Sequence, residues 1–283
     1  MVHLLLSDIT NRLIPISDTP ALDASVLIAH VIKKPRTWVM AHPELTLTSE
    51  QQKQLHDSLV RLECGESFPY VLGHWEFFGL EFDLTPDVLI PRPETELMVE
   101  KAIAWLQEFP DRRMVADIGT GSGAIAVSIA VNVPDTKILA TDISTKALKV
   151  AKQNAENLGV NKSIQFIACD LLPAKSPMIN HQAKIDLLCA NLPYIPTETL
   201  FSLAIFGREP SLALDGGLDG LNLYRKLFSI IPDWLATNGK VFLEIESTQG
   251  SKILAMAKNT FDMAELHLHK DLAGQDRLLE ILL

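Results

Sequence analysis

Cysteine is scarce in this chain of 283 residues, which has only Cys64, Cys169 and Cys189. The three thiols lie far apart along the sequence, and no two have the short spacing of paired zinc ligands. The eight histidines likewise form no metal-ligand spacing. These shortages argue against a zinc-binding module and against a disulfide-stapled secreted domain, and we expect no metal site.

Positive charge is also in short supply, because 25 basic side chains face 35 acidic ones and the net charge is −10. A protein that binds nucleic acid mainly through phosphates needs a positive surface, so we expect no direct nucleic-acid binding. Long apolar runs are missing too. Residues 1–13 lack the basic leader of a secretory signal, and the apolar stretch 124–133 is too short to cross a bilayer. We expect a soluble, cytoplasmic monomer that does not bind membranes.

The first 75 residues predict a small bundle of three helices. Apolar residues at helical spacing mark the first, and Thr19 followed by Pro20 offers an N-cap and first turn for the second. Thr48 and Gln51 have the spacing of a capping box, which starts the third. With 47% hydrophobic residues the chain can also fill a second, larger core.

The rest of the chain alternates strands and helices, after a predicted hairpin or linker over residues 76–90. For residues 91–283 we predict strands at Met114–Ile118, Ile138–Thr141, Ile164–Ala168, Ile185–Ala190 and Val241–Ile245, then an antiparallel hairpin of Glu265–Leu268 and Arg277–Leu282. The intervening helices are placed at Gly123–Val131, Ser144–Leu158 and Asn222–Leu235. This order predicts an α/β fold with a doubly wound, mostly parallel, seven-stranded sheet in a Rossmann-like domain.

Chemistry-bearing residues follow four of these strands, where ligands of doubly wound sheets bind. The glycine spacing Gly119-x-Gly121-x-Gly123 is tighter than that of dinucleotide enzymes and favours a cofactor with an amino-acid tail. Asp142 is suited to accept from two ribose hydroxyls. Asp170 could accept from an adenine amino group, with Leu171 against the ring; Asp142 and Asp170 could each equally be a helix cap. The predicted cofactor-binding residues are Asp117, Gly119, Thr120, Gly121, Ser122, Gly123, Asp142, Asp170, Leu171 and Asn191.

The tetrapeptide Asn191-Leu192-Pro193-Tyr194 follows the fourth strand and indicates the reaction. An Asn side-chain oxygen and a neighbouring backbone carbonyl can accept both hydrogens of a planar NH₂ group, and a Tyr ring offers a face on which that group can lie. Such a site suits a carboxamide or an amino-adenine. Together with the glycine loop, it predicts methyl transfer from S-adenosylmethionine to a planar nitrogen, leaving S-adenosylhomocysteine. All four residues are candidate catalytic residues.

Several blocks of sequence resemble the HemK/PrmC family of peptide chain release factor glutamine N5-methyltransferases. They are Asp23–Ile28, Tyr70–Gly73, Leu89–Glu96, the glycine loop, Asn191–Tyr194, Arg208–Pro210, Leu214–Leu221 and Asp271–Arg277. The glycine loop is weakly specific, whereas Pro-Arg-Pro-Glu-Thr-Glu combined with Asn-x-Pro-Tyr and the Leu-Asp-Gly-Gly segment is much more specific. Two positions depart from the family pattern. Leu192 stands where Pro is usual, which keeps the backbone carbonyl, and Glu246 stands where Gly is usual in a segment to which no role is assigned.

The resemblance implies a class I S-adenosylmethionine-dependent fold and the glutamine of the Gly-Gly-Gln motif in class I release factors as substrate. It implies that residues 119–123 and Asp142 bind the cofactor, that Asp170 and Leu171 flank its adenine, and that residues 191–194 hold the amide. Residues 1–75 would help to dock the protein substrate, or would only be a stabilising cap.

Four alternatives stay open. The first is a glutamine methyltransferase acting on a ribosomal protein, and the second is an adenine-N6 DNA methyltransferase, since a flipped adenine presents the same two hydrogens. The third is a nicotinamide-dependent dehydrogenase. The fourth is a module that binds the cofactor without reacting.

Overall fold

A computed structural model describes residues 2–174 and 184–283 of the chain. The chain divides into two compact units, Met1–Gly73 and His74–Leu283.

The N-terminal unit contains five helices among its described residues: α1 Val2–Leu13, α2 Pro20–Ile32, α3 Arg36–Ala41, α4 Ser49–Glu63 and α5 Phe68–Leu72. The three long helices were predicted. The sequence pattern missed α3 and α5, because six and five residues are too few to show helical periodicity.

Two predicted helix caps had different outcomes. The capping box of α4 is confirmed, since the Gln51 backbone N–H donates to Thr48 Oγ1 at 3.2 Å and the Thr48 N–H donates to Gln51 Oε1 at 3.0 Å. Thr19 does precede α2, with Pro20 in the first turn, but its side chain caps no backbone N–H. Its hydroxyl instead donates to Asp23 Oδ1 at 3.3 Å.

The larger unit begins with the antiparallel hairpin of β1 (His74–Phe77) and β2 (Leu80–Asp83), which starts two residues before the stretch 76–90 predicted as a hairpin or linker and overlaps it. Phe78 and Gly79 form its two-residue turn with φ of 52° and 69°, the left-handed conformation that short hairpins favour. The Phe78 N–H donates to Glu96 Oε1 at 2.8 Å. The hairpin is thereby fastened to the residues that follow the Pro-Arg-Pro-Glu block.

A seven-stranded sheet forms the centre of this unit, in the order β5-β4-β3-β6-β7-β9-β8. Its strands are β3 Met114–Ile118, β4 Lys137–Asp142, β5 Ile164–Ala168, β6 Ile185–Ala190, β7 Leu235–Glu244, β8 Glu265–Lys270 and β9 Asp276–Leu282. The first five are parallel, and β9 runs antiparallel to both β7 and β8. The predicted sheet and its closing hairpin are confirmed. Strand order reverses between β3 and β6, where ligands of such sheets bind.

Strand β7 is longer than predicted, since it starts at Leu235 rather than Val241. The pairing of β7 with β6 shifts register between Ile185 and Leu187 of β6. In the part of β7 that faces this shift, Asn238 has φ of 56°. The polar sequence Thr237-Asn238-Gly239 indicates a loop, but its backbone forms an irregular part of the ladder.

Helices cover both faces of the sheet and are α6 Glu96–Glu108, α7 Ala124–Asn132, α8 Thr145–Asn157, α9 Thr197–Leu200, α10 Asn222–Trp234 and α11 Gly250–Thr260. Val115 and Leu187 pack into one buried cluster, which includes side chains of α6 and α7. Their neighbours Ala116 and Leu188 pack into the other, with side chains of α10 and α11. Because successive strand residues point to opposite faces, this apolar run fills two cores. The doubly wound α/β prediction is confirmed.

Candidate active site

A cavity of about 330 Å³ lies at the carboxyl ends of four neighbouring parallel strands, β5, β4, β3 and β6. Its walls include residues at or just after the end of each strand: Gly119 and Gly121 after β3, Asp142 to Ser144 at the end of β4, Cys169 to Leu171 after β5, and Asn191 to Pro193 after β6. The topology therefore brings together predicted residues that are widely separated in the sequence.

The glycine loop follows β3 and uses left-handed backbone at all three glycines, with φ of 73° at Gly119, 56° at Gly121 and 83° at Gly123. A Cβ on Gly119 would lie 3.2 Å from Leu192 Cδ2, and one on Gly123 would lie 3.1 Å from Ala151 Cβ. Both backbone conformation and space therefore favour glycine here. The loop exposes main chain of Gly119 and Gly121 to the cavity.

Asp117, Thr120, Ser122 and Gly123 were also predicted to bind the cofactor, but none is among the described residues that line the cavity. Asp117 is fully buried, and its Oδ2 accepts from Thr120 Oγ1 at 2.6 Å and from the Ala126 N–H at 3.1 Å. Burial raises the pKa of this carboxyl to about 7. Asp117 fastens the loop to the start of α7 and supports the cavity from behind.

Asp142 lines the cavity at the end of β4, at the place predicted for a ribose-binding carboxylate. Its Oδ2 accepts from the Gly121 N–H at 2.9 Å and its Oδ1 from the Ser144 N–H at 2.8 Å. Burial raises its pKa. The N-cap of α8 is Ser144 rather than Asp142, and each carboxylate oxygen can accept a further hydrogen bond.

Asp170 and Leu171 follow β5 and line the same cavity. Lys226 of α10 forms an ion pair with Asp170, a partner that the sequence did not indicate. Leu171 is buried with φ of 62°, a strained value for a side chain of this size, and its carbonyl accepts from Thr141 Oγ1 at 2.5 Å. The adenine-flanking role of the two residues stays a prediction.

Asn191 stands where two cavities meet. It lines the cofactor-sized cavity and also a second one of about 210 Å³, whose other walls include Arg92, Tyr194 and Ile205. Its Nδ2 donates to Thr95 Oγ1 at 3.1 Å. Asn191 Oδ1 makes no hydrogen bond to a described residue, so it remains an acceptor for a ligand.

The Leu192 carbonyl lies 3.3 Å from the hydroxyl of buried Tyr224. That hydroxyl is also 2.5 Å from the Glu244 backbone carbonyl, and the nearer acceptor takes its single hydrogen. The Leu192 carbonyl therefore retains its capacity to accept. Two acceptors, Asn191 Oδ1 and Leu192 O, thus follow one another at the tip of β6.

The Tyr194 side chain lines the second cavity, and its hydroxyl donates to Glu244 Oε1 at 3.3 Å. Burial, then the nearby Glu244 charge, raises its pKa, so the phenol stays neutral. Arg92 also lines this cavity and pairs with Glu209 at 2.7 Å. Glu209 is buried and also accepts from the Ile90 N–H at 3.1 Å, which fixes this wall.

Two families match parts of the chain: the PrmC N-terminal domain over residues 5–73 and the methyltransferase small domain over residues 96–199. The release factor glutamine methyltransferase of Moorella thermoacetica is 38% identical over 261 residues, which are 92% of this chain and 90% of that protein. The protein of the same name from Coxiella burnetii is 37% identical over 96% of this chain and 95% of its own.

The chain belongs to the release factor glutamine methyltransferase family. The resemblance found in the sequence is thereby confirmed. Two solved structures with less identity share its fold. A methyltransferase from Pyrococcus furiosus is 17% identical with a TM-score of 0.50, covering 83% of this chain and 98% of that one. The hMettl16 catalytic domain in complex with MAT2A 3′UTR hairpin 6 is 15% identical with a TM-score of 0.52, covering 84% and 82%. The class I methyltransferase fold is confirmed.

Leu192 stands where the resemblance implies proline, and its side chain is buried at 3% exposure against Gly119 of the glycine loop. It belongs to the same apolar cluster as Leu171 and Tyr224. The substitution therefore exchanges the rigidity of a proline ring for packing contacts, while the backbone acceptor is kept.

Residues 244–250, which had no predicted role in this family member, support the site. Gln249 Nε2 donates to the Tyr194 carbonyl at 2.9 Å, and Glu244 accepts hydrogen bonds from Thr95 and Tyr194. Glu246 caps the short helical turn that follows, accepting from the Thr248 N–H at 2.8 Å. The family block containing these residues was visible in the sequence, but their partners were not.

Within residues 2–174 and 184–283, no group of three His, Cys, Asp or Glu side chains could hold a metal ion; His181 lies outside these described residues. In the same part of the family member, no helix has both the length and the apolar character that a membrane span requires.

Proposed function

We propose that this protein transfers a methyl group from S-adenosylmethionine to the side-chain nitrogen of the glutamine in the Gly-Gly-Gln motif of class I peptide release factors. The observation that carries the proposal is Asn191 at the junction of two cavities, with its Nδ2 held by Thr95 and its Oδ1 available. It is supported by relatives that are named release factor glutamine methyltransferase.

The first cavity fits the cofactor. Its volume of about 330 Å³ lies in the range of small-molecule sites, and main chain at Gly119 and Gly121 permits close approach of an amino-acid tail. Asp142 would accept from the ribose hydroxyls, and Leu171 would lie against the adenine with Asp170 near its amino group. Asp117, Thr120, Ser122 and Gly123 would hold the loop rather than touch the cofactor. When bound, S-adenosylmethionine supplies a methyl group activated by its sulfonium sulfur.

The task of the protein is to place a weakly nucleophilic amide nitrogen in line with that methyl group. We infer that Asn191 Oδ1 and the Leu192 carbonyl accept the two amide hydrogens. Positive charge develops on the nitrogen as the new N–C bond forms and the bond from the methyl carbon to sulfur breaks, and these acceptors stabilise that charge. One hydrogen then leaves as a proton, so no strong base is needed before transfer. Pro193 fixes the turn, and Tyr194 offers its ring to the amide plane.

Residues 1–75 are proposed to help dock the release factor, since a small appended domain commonly meets the partner of an enzyme. Residues 76–90 would act as the hairpin or linker before the methyltransferase domain of residues 91–283. The net charge of −10 supports a protein substrate over nucleic acid. We infer that the protein acts as a monomer in the cytoplasm.

The test uses S-adenosylmethionine with a labelled methyl group and three acceptors: a class I release factor, ribosomal protein and duplex DNA. Label is expected on the release factor, and replacing the Gly-Gly-Gln glutamine with alanine should abolish it. Label on the ribosomal protein or the DNA instead would refute the proposal in favour of that substrate. No transfer in a single turnover would leave a cofactor-binding module, and retention of NADH through dialysis would indicate a dehydrogenase.

A further inference from the structure

Three hydrogen bonds connect the substrate-binding tetrapeptide to one buried carboxylate. Asn191 Nδ2 donates to Thr95 Oγ1 at 3.1 Å, and Thr95 Oγ1 donates to Glu244 Oε2 at 2.6 Å. The hydroxyl of Tyr194 donates to the other oxygen, Glu244 Oε1, at 3.3 Å. Thr95 is 4% exposed and Glu244 is 1% exposed, so water does not replace these partners.

The number of hydrogens sets the direction of this chain of bonds. An ionised carboxylate can only accept, so the hydroxyl hydrogens of Thr95 and Tyr194 both go to Glu244. The Thr95 oxygen, having given away its one hydrogen, can only accept from Asn191. The group that Asn191 turns toward Thr95 must therefore be its NH₂, and its Oδ1 is left on the opposite side.

The orientation of the Asn191 amide decides whether the site can hold a substrate amide. With Oδ1 available, Asn191 accepts an N–H of the target NH₂. Turned by 180°, it would present its own NH₂ to the NH₂ of the substrate, and two donors would face each other. The ionised Glu244 carboxylate, acting through Thr95, thus determines that Asn191 presents its oxygen and not its NH₂ group to the substrate.

We propose that Glu244 and Thr95 are positioning residues for methyl transfer, which together fix the Asn191 amide with its oxygen toward the substrate and fix the Tyr194 hydroxyl. The inference rests on the proposed function for its catalytic readout. It assigns a role to Thr95 in the Pro-Arg-Pro-Glu-Thr-Glu block and to Glu244 at the end of β7.

The surroundings of Glu244 place its pKa near neutral pH. Burial raises its pKa to about 7, while hydrogen bonding to Thr95, the charge of Arg277 and the hydrogen bond from Tyr194 oppose this and Glu94 adds to it. The hydroxyl of Tyr224 donates to the backbone carbonyl of Glu244. A protonated Glu244 can donate to Thr95, which frees the threonine hydrogen to point at Asn191 and removes the constraint. Turnover should therefore rise as pH rises through about 7.

The test compares Thr95→Val, which keeps shape and removes the hydroxyl, with Thr95→Ser, which keeps the hydroxyl. Thr136→Val is the matched control. Thr136 is also buried, its hydroxyl donates to the Val133 carbonyl at 3.0 Å, and it directly precedes β4, away from the carboxyl edge. Thr95→Val should lower kcat about ten-fold or more, the worth of one well-made buried hydrogen bond. Thr95→Ser should restore most of it, and Thr136→Val should leave kcat unchanged.

Two further readouts separate positioning from simple destabilisation. Affinity for S-adenosylmethionine, measured by calorimetry, should be the same in all three variants. Glu244→Gln places an NH₂ group opposite Thr95 or Tyr194, so it should lower kcat and flatten the rise in turnover near pH 7. The same rise in Glu244→Gln as in the native protein would refute the part assigned to Glu244.

One measurement needs no substrate and so stands apart from the proposed function. The Asn191 side-chain NH₂ signal, assigned by its loss in Asn191→Asp, should exchange its hydrogens with solvent faster in Thr95→Val than in the native protein or Thr95→Ser. Equal exchange in the valine and serine variants would overturn the inference, and so would equal kcat values. Failure of the native protein to methylate a release factor, with the exchange difference present, would overturn only the proposed function.

Discussion

Gly220 lines neither cavity, yet Gly220→Ala is expected to disable the site. Gly220 lies behind the Asn-x-Pro-Tyr segment with φ of 78°. A Cβ added there would lie 2.1 Å from the Tyr194 carbonyl oxygen and 2.4 Å from Gln249 Nε2. The same oxygen accepts from Gln249 at 2.9 Å, so the methyl group would enter an existing hydrogen bond.

The size of the effect follows from these distances. A Cβ contact needs at least 3.0 Å, so the Tyr194 carbonyl must move by 0.9 Å or more. Tyr194 is three residues from Asn191, and Pro193 between them limits how the backbone can adjust. Since misplacement by about 1 Å can cost about 10² in rate, we expect a loss of kcat of that order. The left-handed backbone adds about 1 kcal/mol of strain for alanine.

Gly159→Ala separates the strain from the clash. Gly159 has φ of 75°, with nothing within 4 Å of an added Cβ, and it follows α8 at the amino end of β5. The two variants share the strain of the left-handed backbone, but only Gly220→Ala displaces Tyr194. Both would be compared by thermal unfolding and by label transfer from S-adenosylmethionine to a release factor. A similar kcat in the two variants, with Gly220→Ala folded, would refute the reasoning.

Three other predictions concern single groups. Asn191→Ala should lower kcat by about 10² or more with nearly unchanged affinity for S-adenosylmethionine, and equal losses in both would contradict its assigned role. Asp117 has its pKa raised from 3.8 to about 7, so the folded state holds a proton that the unfolded chain has lost. The contribution of the protonated Asp117 carboxyl to the free energy of unfolding is fully present below about pH 4. It is lost as pH rises to about 7, and the loss is at most on the order of 4 kcal/mol. Asp117→Asn should reduce this slope in denaturation curves recorded across that window, and an unchanged slope would count against it. Arg92→Met leaves Glu209 buried without its cation and should lower the free energy of unfolding by about 2–3 kcal/mol. Adding Glu209→Gln should recover part of that loss in denaturant titrations. If the changes in the free energy of unfolding of the two substitutions simply add, that would argue against an Arg92–Glu209 ion pair.

The larger fold could be predicted because its signals are local. The strands Met114–Ile118, Ile164–Ala168 and Ile185–Ala190 were placed within their observed bounds, since short apolar runs between turn residues identify buried parallel strands. Helices α3 and α5 were missed because they are too short to repeat a pattern. The early start of β7 was missed because Asn238 and Gly239 indicate a turn, and only pairing with β6 makes that backbone part of the sheet.

The candidate site, like the fold, could be predicted from the sequence only in part. The sequence by itself determined the glycine loop, Asp142 and the Asn-x-Pro-Tyr segment, because each is a run of residues, or one residue after a strand, whose chemistry can be judged locally. The tertiary structure decided which of them reach the cavity: Gly119 and Gly121 do, whereas Asp117 lies beneath the loop.

Only the tertiary structure could identify the groups that orient these residues. Thr95 is 96 residues from Asn191 and 149 residues from Glu244 in the sequence, yet the three side chains form one chain of hydrogen bonds. The strand order places β7 beside β6, and burial removes the water that would otherwise satisfy the polar groups. Partners across such distances depend on the path of the whole chain, which no local pattern encodes.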